Sequence, residues 1–309
     1  MNTTMQSQKK ILIIGGPTAS GKSSAAIECA KHFFCSEIIS CDSAQVYKYM
    51  DIGTAKPTTE EMQGIKHHLI DFVLPDYNYT AANYKSDCKI AVDSIFAKDG
   101  LPIICGGTGL YLNSFLFDYN LGNCAENAKL RYELSILYDV KGSDFMHNLL
   151  KKCDIDAASR LHKNDKKRIV RALEICFSAK DSYTVKKNAA TQQSSKYNYV
   201  FVVLTCDRQK LYSKIDSRVE EMIKKGLFEE VEKLLALGYG MQHKSMSAIG
   251  YKESYQYICG NINRQTAIDM IKQNTRNYAK RQITWFKSQK NVVFIDTEHT
   301  PINKIIELL

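Results

Sequence analysis

ILIIGGPTASGKS, residues 11–23, joins a short apolar run to a glycine-rich loop that ends in a lysine–serine pair. Residues 11–14 read as a buried strand, and a helical pattern follows over 23–32. Between them, Gly16-Pro17-Thr18-Ala19-Ser20-Gly21-Lys22-Ser23 has the G-x-x-x-x-G-K-[ST] spacing of a phosphate-binding P-loop, in the strand-to-helix context that spacing requires. The glycines let the loop fold back, so that backbone N–H groups and a helix N-terminus converge on a phosphate oxygen. Lys22 adds a point charge, and the Ser23 hydroxyl suits Mg2+. The loop alone fits ATP, GTP or a diphosphate leaving group equally well.

Outward from this stretch, residues 37–40, 68–73, 101–105, 199–204 and 291–295 read as further strands. Each is short and nearly all-apolar at its centre, as strands of a parallel sheet covered on both faces are. Helices are expected over 23–32, 81–98, 207–237 and 264–288. In the third, Leu211, Ile215, Val219, Met222 and Leu227 recur at helical spacing, with Asp207 placed to cap it. From 121 to 196 the strand signal vanishes. Residues 130–138, 144–152 and 165–178 read there as amphipathic helices, and 188–195 as a polar linker. The expected fold class is α/β: a P-loop core with a mostly parallel sheet flanked by helices, residues 1–121 and 196–309, plus an all-helical insertion domain, residues 122–195.

Composition narrows the function. No run of about eighteen apolar residues occurs, so no membrane span is expected, and the polar residues 1–10 do not read as a secretion signal. The ten cysteines form no C-x-x-C pair, which argues against a zinc knuckle or a thioredoxin-type site and for reduced thiols in the cytoplasm. The net charge of +9 is unevenly placed: residues 1–120 hold 10 Lys and no Arg against 12 acids, so the whole cationic surplus lies beyond them. A surplus of that kind fits a polyanion such as nucleic acid, or a merely solvated basic face.

Two more segments close strands. In Ser40-Cys41-Asp42-Ser43-Ala44-Gln45-Val46-Tyr47 the Asp42 carboxylate emerges at the carboxyl edge of the sheet, where open α/β folds bind ligands. It can take a proton or help place Mg2+, or it can simply cap a turn. Cys105-Gly106-Gly107-Thr108-Gly109-Leu110-Tyr111 suits close approach of backbone to ligand, or a tight turn. No strand ends in an acidic Walker-B pair and no N-K-x-D signature occurs, which disfavours a motor ATPase or a GTPase. Near the end, residues 275–287 (TRNYAKRQITWFK) interleave cations, aromatics and amides, and no acid occurs from Ile271 to Ile295. Lys167, Arg168 and Arg171 line one side of the helix over 165–178, with Ile169, Leu173, Cys176 and Phe177 facing inward. Cations that place phosphates beside aromatic planes that stack bases are how unpaired RNA is commonly read.

Taken in order, GPTASGKS (16–23), DSAQVYKYMDIGTAKP (42–57), GGTGLY (106–111), LHKNDKKRIVRALE (161–174), SAIGYKE (247–253) and TRNYAKRQITWF (275–286) span nearly the whole chain. Together they resemble the bacterial tRNA dimethylallyltransferase family, also called tRNA isopentenyltransferases. The resemblance implies transfer of a dimethylallyl group from dimethylallyl diphosphate to N6 of the adenosine at position 37 of tRNA, beside the anticodon. It places the diphosphate on Gly16, Pro17, Thr18, Ala19, Ser20, Gly21, Lys22 and Ser23, with Mg2+ at Ser23. It makes Asp42 the general base on N6, with Thr108 and Arg218 assisting at the diphosphate or its bridging oxygen. For the tRNA anticodon loop it implies contacts from Asp42, Ser43, Ala44, Gln45 and Thr108, from Arg131, and from Lys167, Arg168, Ile169, Val170 and Arg171. Ser247, Ala248, Ile249, Gly250, Tyr251 and Lys252 follow, then Lys280, Arg281, Gln282, Ile283, Thr284, Trp285, Phe286 and Lys287. Many members carry an arginine where this chain has Ser247. Arg218 also reads as one half of a surface salt bridge with Glu220 or Glu221. The expected state is a monomer with no membrane contact.

Three other readings compete. An adenylate isopentenyltransferase shares the P-loop and an aspartate like Asp42 but has no use for the basic segments. A nucleotide kinase needs ATP turnover. A non-catalytic RNA-binding protein would keep the P-loop as a relic.

Overall fold

In a computed structural model, which describes residues 9–117, 127–179, 195–300 and 302–309, the apolar runs pair into one six-stranded sheet. The strands are β1 (Lys10–Gly15), β2 (Glu37–Cys41), β3 (His67–His68), β4 (Pro102–Gly106), β5 (Asn198–Thr205) and β6 (Val292–Asp296). Their order is β3-β2-β4-β1-β5-β6, and every pairing is parallel. Cys124, the linker residues 188–194 and the boundary expected after residue 121 lie outside the described residues. The strand expected over 68–73 shrinks to His67–His68 plus an isolated bridge from Tyr47 to Val73. Leu69 and Asp71 take φ of 58° and 55°, a left-handed conformation that breaks an extended run.

The helices are α1 (Lys22–His32), α2 (Thr59–Met62), α3 (Ala81–Phe96), α4 (Gly109–Leu116), α5 (Ala128–Cys153), α6 (Ile155–Arg160), α7 (Lys166–Ala179), α8 (Arg208–Lys224), α9 (Leu227–Ala236), α10 (Tyr251–Ile258), α11 (Arg264–Lys287) and α12 (Asn303–Ile306). Asp207 caps α8, accepting the N–H groups of Gln209 and Lys210, as its position predicts. The single helix expected over 207–237 is two. Gly226 at φ 97° ends the first and starts the second, a conformation that costs glycine little and other residues more. No helix of the described residues is long and apolar enough to cross a membrane.

The chain divides into two compact units, Met1–Phe115 with Tyr197–Leu309, and Leu116–Lys196. In the first, side chains alternate across the central strands. Leu12, Ile14, Ile103, Val202 and Leu204 pack with Ala25, Ala26 and Cys29 of α1. On Gly15 and Phe201 rests the ring of Phe286 from α11. Covering both faces is what makes these strands read as unbroken apolar runs.

The second unit is built from α5, α6 and α7 around Leu134, Met146, Leu150, Ala157, Ile169, Val170 and Leu173. Gly142, at φ 81° and ψ 170°, breaks α5 between the two helical patterns visible in the sequence. Phe177, expected to face inward, is 46% exposed at the end of α7. At the centre of the unit lies Glu174, 1% exposed. Its carboxylate accepts from Arg131 Nε at 2.7 Å, Arg171 Nη1 at 2.7 Å and the Asn127 N–H at 3.1 Å. Burial pushes this carboxyl up, but the two arginines outweigh burial and hold it below its ordinary 4.5. Replacing Glu174 with Ala leaves two cations without their shared acid and is expected to cost about 2–4 kcal/mol in chemical denaturation. The sign with pH follows from the lowered value. The pairing contributes fully above about pH 4.5 and is lost as pH falls through the lowered value, and Glu174→Ala is expected to remove that acid sensitivity.

Candidate active site

Because β4 lies between β1 and β2, three loops leave the carboxyl edge of the sheet side by side. They are the P-loop after β1, the Asp42 turn after β2 and the Gly106–Gly109 turn after β4. Register fixes their heights: Ile14 pairs with Cys105 and Cys41 with Gly106. The P-loop turns through Ala19 at φ 63° and Gly21 at φ 84° into α1, whose first turn carries no side-chain cap and no acid. Its leading N–H groups are therefore open to an anion. Ser23 stands solvent-exposed in that turn.

Asp42 is set by its own turn. Oδ1 accepts the N–H groups of Ala44 at 2.8 Å and Gln45 at 3.3 Å, while Oδ2 has no hydrogen bond among the described residues. Thr108 faces it from the next loop: its N–H donates to the Cys41 carbonyl at 3.1 Å, and its Oγ1 accepts the Ser43 N–H at 3.1 Å. Gln45 is fully committed inside the protein. Its Nε2 donates to the carbonyls of Thr54 and Ala55, each at 3.2 Å, and Ser40 Oγ donates to its Oε1 at 3.3 Å. The Gln45 side chain thus frames the turn, and only Ser43 of that segment is strongly exposed.

Two cations share this field. Lys22 Nζ donates to the Pro17 carbonyl at 2.6 Å, and burial draws its ammonium down to about 8 against smaller opposing pulls that include the Asp42 charge. Arg218 comes from α8 with Nη1 donating to Thr18 Oγ1 at 3.4 Å. Burial lowers its pKa, while Asp42 pulls the other way. Among the described residues Arg218 forms no ion pair, and Glu220 goes to Lys272 instead, so the surface salt bridge weighed for Arg218 does not form. Burial pushes the thiol of Cys41 up to about 12 and that of Cys105 to about 11, so neither is a thiolate nucleophile. Among the described residues no group of three or more His, Cys, Asp or Glu could hold a metal.

Helix α11 braces the edge. Gln282, 5% exposed, accepts the Thr18 N–H at 2.9 Å and donates to the Gly107 carbonyl at 3.1 Å, bridging the P-loop to the Thr108 turn. A methyl group on Gly107 would collide with Gln282, and one on Gly109 with Trp285. Gln282 was expected at RNA; its burial makes it a strut between two loops.

The remaining residues assigned to RNA divide by exposure. Lys280, Arg281, Thr284 and Lys287 are exposed, while Ile283 and Trp285 are half-buried and Phe286 is buried. Arg281 lies over the Tyr278 ring, 5.6 Å from its centroid. The acid-free stretch is not free of acid partners: Arg276 pairs with Asp216 of α8 at 2.5 Å, and Lys272 with Glu220. Ser247 and Lys252 are exposed, Ala248 and Ile249 half-buried, and Gly250 and Tyr251 buried. In the helical unit Lys167 and Arg168 are exposed, whereas Ile169 and Val170 are core and Arg131 and Arg171 are drawn to Glu174. An RNA strand there would meet the cations and not the two aliphatic side chains. Sequence reasoning missed Glu230, whose buried carboxylate grips the loop after Met50. Its only signal was an acid one turn into an otherwise apolar helix face.

Comparison with known proteins agrees with this geometry. The family model described as IPP transferase matches residues 45–289. A tRNA dimethylallyltransferase of Acetivibrio thermocellus is 43% identical over 288 residues, 93% of this chain and 92% of that one. One from Clostridioides difficile is 44% identical over 288 residues, with the same coverage. The crystal structure of the full-length tRNA isopentenylpyrophosphate transferase from Bacillus halodurans superposes with a TM-score of 0.72 at 39% identity, covering 97% of this chain and 94% of that one. A eukaryotic dimethylallyltransferase captured acting on tRNA gives 0.76 at 28% identity, covering 94% of this chain and 74% of that one. A P-loop, an aspartate turn and a glycine turn on three adjacent strands, over a match of this length, place the chain in the IPP transferase family.

Proposed function

We propose that the protein transfers a dimethylallyl group from dimethylallyl diphosphate to N6 of adenosine 37 in the anticodon loop of tRNA, as a monomer in the cytoplasm. The observation that carries this reading is the side-by-side placement of the uncapped P-loop, Asp42 and Thr108, with Asp42 electrostatically coupled to both Lys22 and Arg218. An exocyclic adenine amine is a weak nucleophile because its lone pair is delocalised into the ring. The reaction therefore needs a better leaving group and a base. The free Oδ2 of Asp42 takes the N6 proton as nitrogen bonds to the allylic carbon, and the carbon–oxygen bond breaks with its electron pair leaving on the diphosphate. The open N–H groups of α1, Lys22 and Arg218 neutralise that growing charge, and Thr108 stands beside the bridging oxygen. Mg2+ held by Ser23 and diphosphate oxygens would add positive charge to the leaving group. The adenine must leave its stack to enter; exposed Lys280, Arg281 and Lys287 on α11 would meet tRNA phosphates, and in the helical unit exposed Lys167, and Arg168 beside Asp165, would do so separately.

Labelled dimethylallyl diphosphate offered with tRNA, AMP and ATP tests the reading. Label in tRNA adenine is the expected result, whereas label only in AMP, or phosphate transfer from ATP without prenylation, would overturn it. Asp42→Asn keeps the Oδ1 acceptor of the turn and removes the base. It is expected to lower turnover by roughly two to four orders of magnitude with tRNA affinity little changed. Lys22 gives a pH signature: it is charged below about 8 and neutral above. Affinity for dimethylallyl diphosphate, whose own ionisation is complete by then, should weaken by up to about tenfold per pH unit above 8 and be accompanied by proton uptake. Calorimetry in buffers of different ionisation heat reads that uptake, and Lys22→Arg should abolish it. Replacing Lys280 and Arg281 together with Ala is expected to weaken tRNA binding and reduce its log–log salt slope by roughly one to two.

A further inference from the structure

Glu230, on the first turn of α9, is 8% exposed, and among the described residues no lysine or arginine pairs with it. Its charge is met instead by backbone. Oε2 accepts the N–H groups of Asp51 at 3.0 Å and Ile52 at 2.8 Å, and Oε1 accepts that of Gly53 at 3.2 Å. The Tyr251 hydroxyl, at the head of α10, donates to Oε1 at 2.6 Å. Three consecutive amides turned on one carboxylate form an anion nest, here filled by the protein's own side chain. Tyr251 is fully buried with its ring against Gly53, where any side chain would collide with it. The next two carbonyls, of Thr54 and Ala55, are those that hold the Gln45 amide, and the Gln45 N–H is one of the two that fix Asp42 Oδ1.

We infer that Glu230, seconded by Tyr251, is a positioning residue for the reaction: its carboxylate anchors residues 51–53 and, through Thr54, Ala55 and Gln45, holds Asp42 in the orientation that aims Oδ2 at the substrate. This rests on the proposed role of Asp42. Among the described residues Glu230 forms no hydrogen bond or ion pair with the P-loop or Gln282, so it acts on the base and not on the phosphate cradle. A carboxylate is required because four donors converge on it. The amide of a glutamine offers one acceptor oxygen and would turn an NH2 group against N–H donors. Buried donors left without an acceptor are driven to rearrange.

Glu230→Gln is therefore expected to lower kcat for tRNA prenylation by roughly ten- to a hundredfold. Binding of inorganic pyrophosphate, read by calorimetry, should stay within about twofold, and hydrogen–deuterium exchange should quicken at amides 44, 45 and 51–53 while amides 18–23 keep their protection. Tyr251→Phe removes one donor and leaves the other three, so it should shift the same quantities in the same direction but less. It also serves as the test if Glu230→Gln does not fold. Wild-type kcat in a folded Glu230→Gln, or parallel losses of kcat and pyrophosphate affinity, would overturn the inference. So would an unchanged exchange pattern and kcat in Tyr251→Phe. If the wild-type protein prenylates no tRNA while exchange still quickens at 44–53 in Glu230→Gln, the proposed function fails and the anchoring stands.

Discussion

A parallel sheet sends every strand out at the same edge, and here β4 runs between β1 and β2. The rest of the site depends on that order. Three segments far apart in sequence are brought within hydrogen-bonding reach because the strands beneath them are laddered: Cys41 sits opposite Gly106, and Thr108, two residues on, both donates to Cys41 and accepts from Ser43. The P-loop joins the group through the β1–β4 pairing and through Gln282. Charge completes the arrangement. One carboxylate with a free oxygen shares the site with two partly buried cations, and burial makes each cation's charge less favourable than in solvent, so each gains by meeting an anion.

Much of this was legible in the chain itself, for identifiable reasons. The P-loop announces itself because few residues other than glycine let backbone fold tightly onto a phosphate, and the strands because burial on both faces leaves no polar positions. The failures are equally physical. Residues 68–73 look like a strand in composition, but two left-handed residues stop the ladder after His68. The pattern over 207–237 is continuous in hydrophobicity, and only Gly226 betrays the turn between α8 and α9. The burial of Glu230 and Gln282 is not visible in the sequence, because a polar residue on a helix is ordinarily solvated. What buries them is a partner more than 170 residues away in the sequence.

The basic surplus shows the same limit. Counted along the chain, the cations of α5, α7 and α11 look alike. In three dimensions they separate into those neutralised by an acid and those facing solvent. Arg131, Arg171, Arg276 and Lys272 belong to the architecture, whereas Lys167, Lys280, Arg281 and Lys287 are presented outward. Only the second set adds to the long-range attraction of a polyanion, so the effective charge offered to RNA is smaller than composition suggests.

Three side chains of α11, Gln282, Trp285 and Phe286, each rest where a glycine leaves room, at Gly107, Gly109 and Gly15. Those contacts act like the wards of a key. A slide of the helix by one residue would drive a ring or an amide into main chain, so the last long helix can seat in a single register. The two loops that Gln282 joins are thereby held at a fixed spacing by a helix more than 170 residues further along the chain.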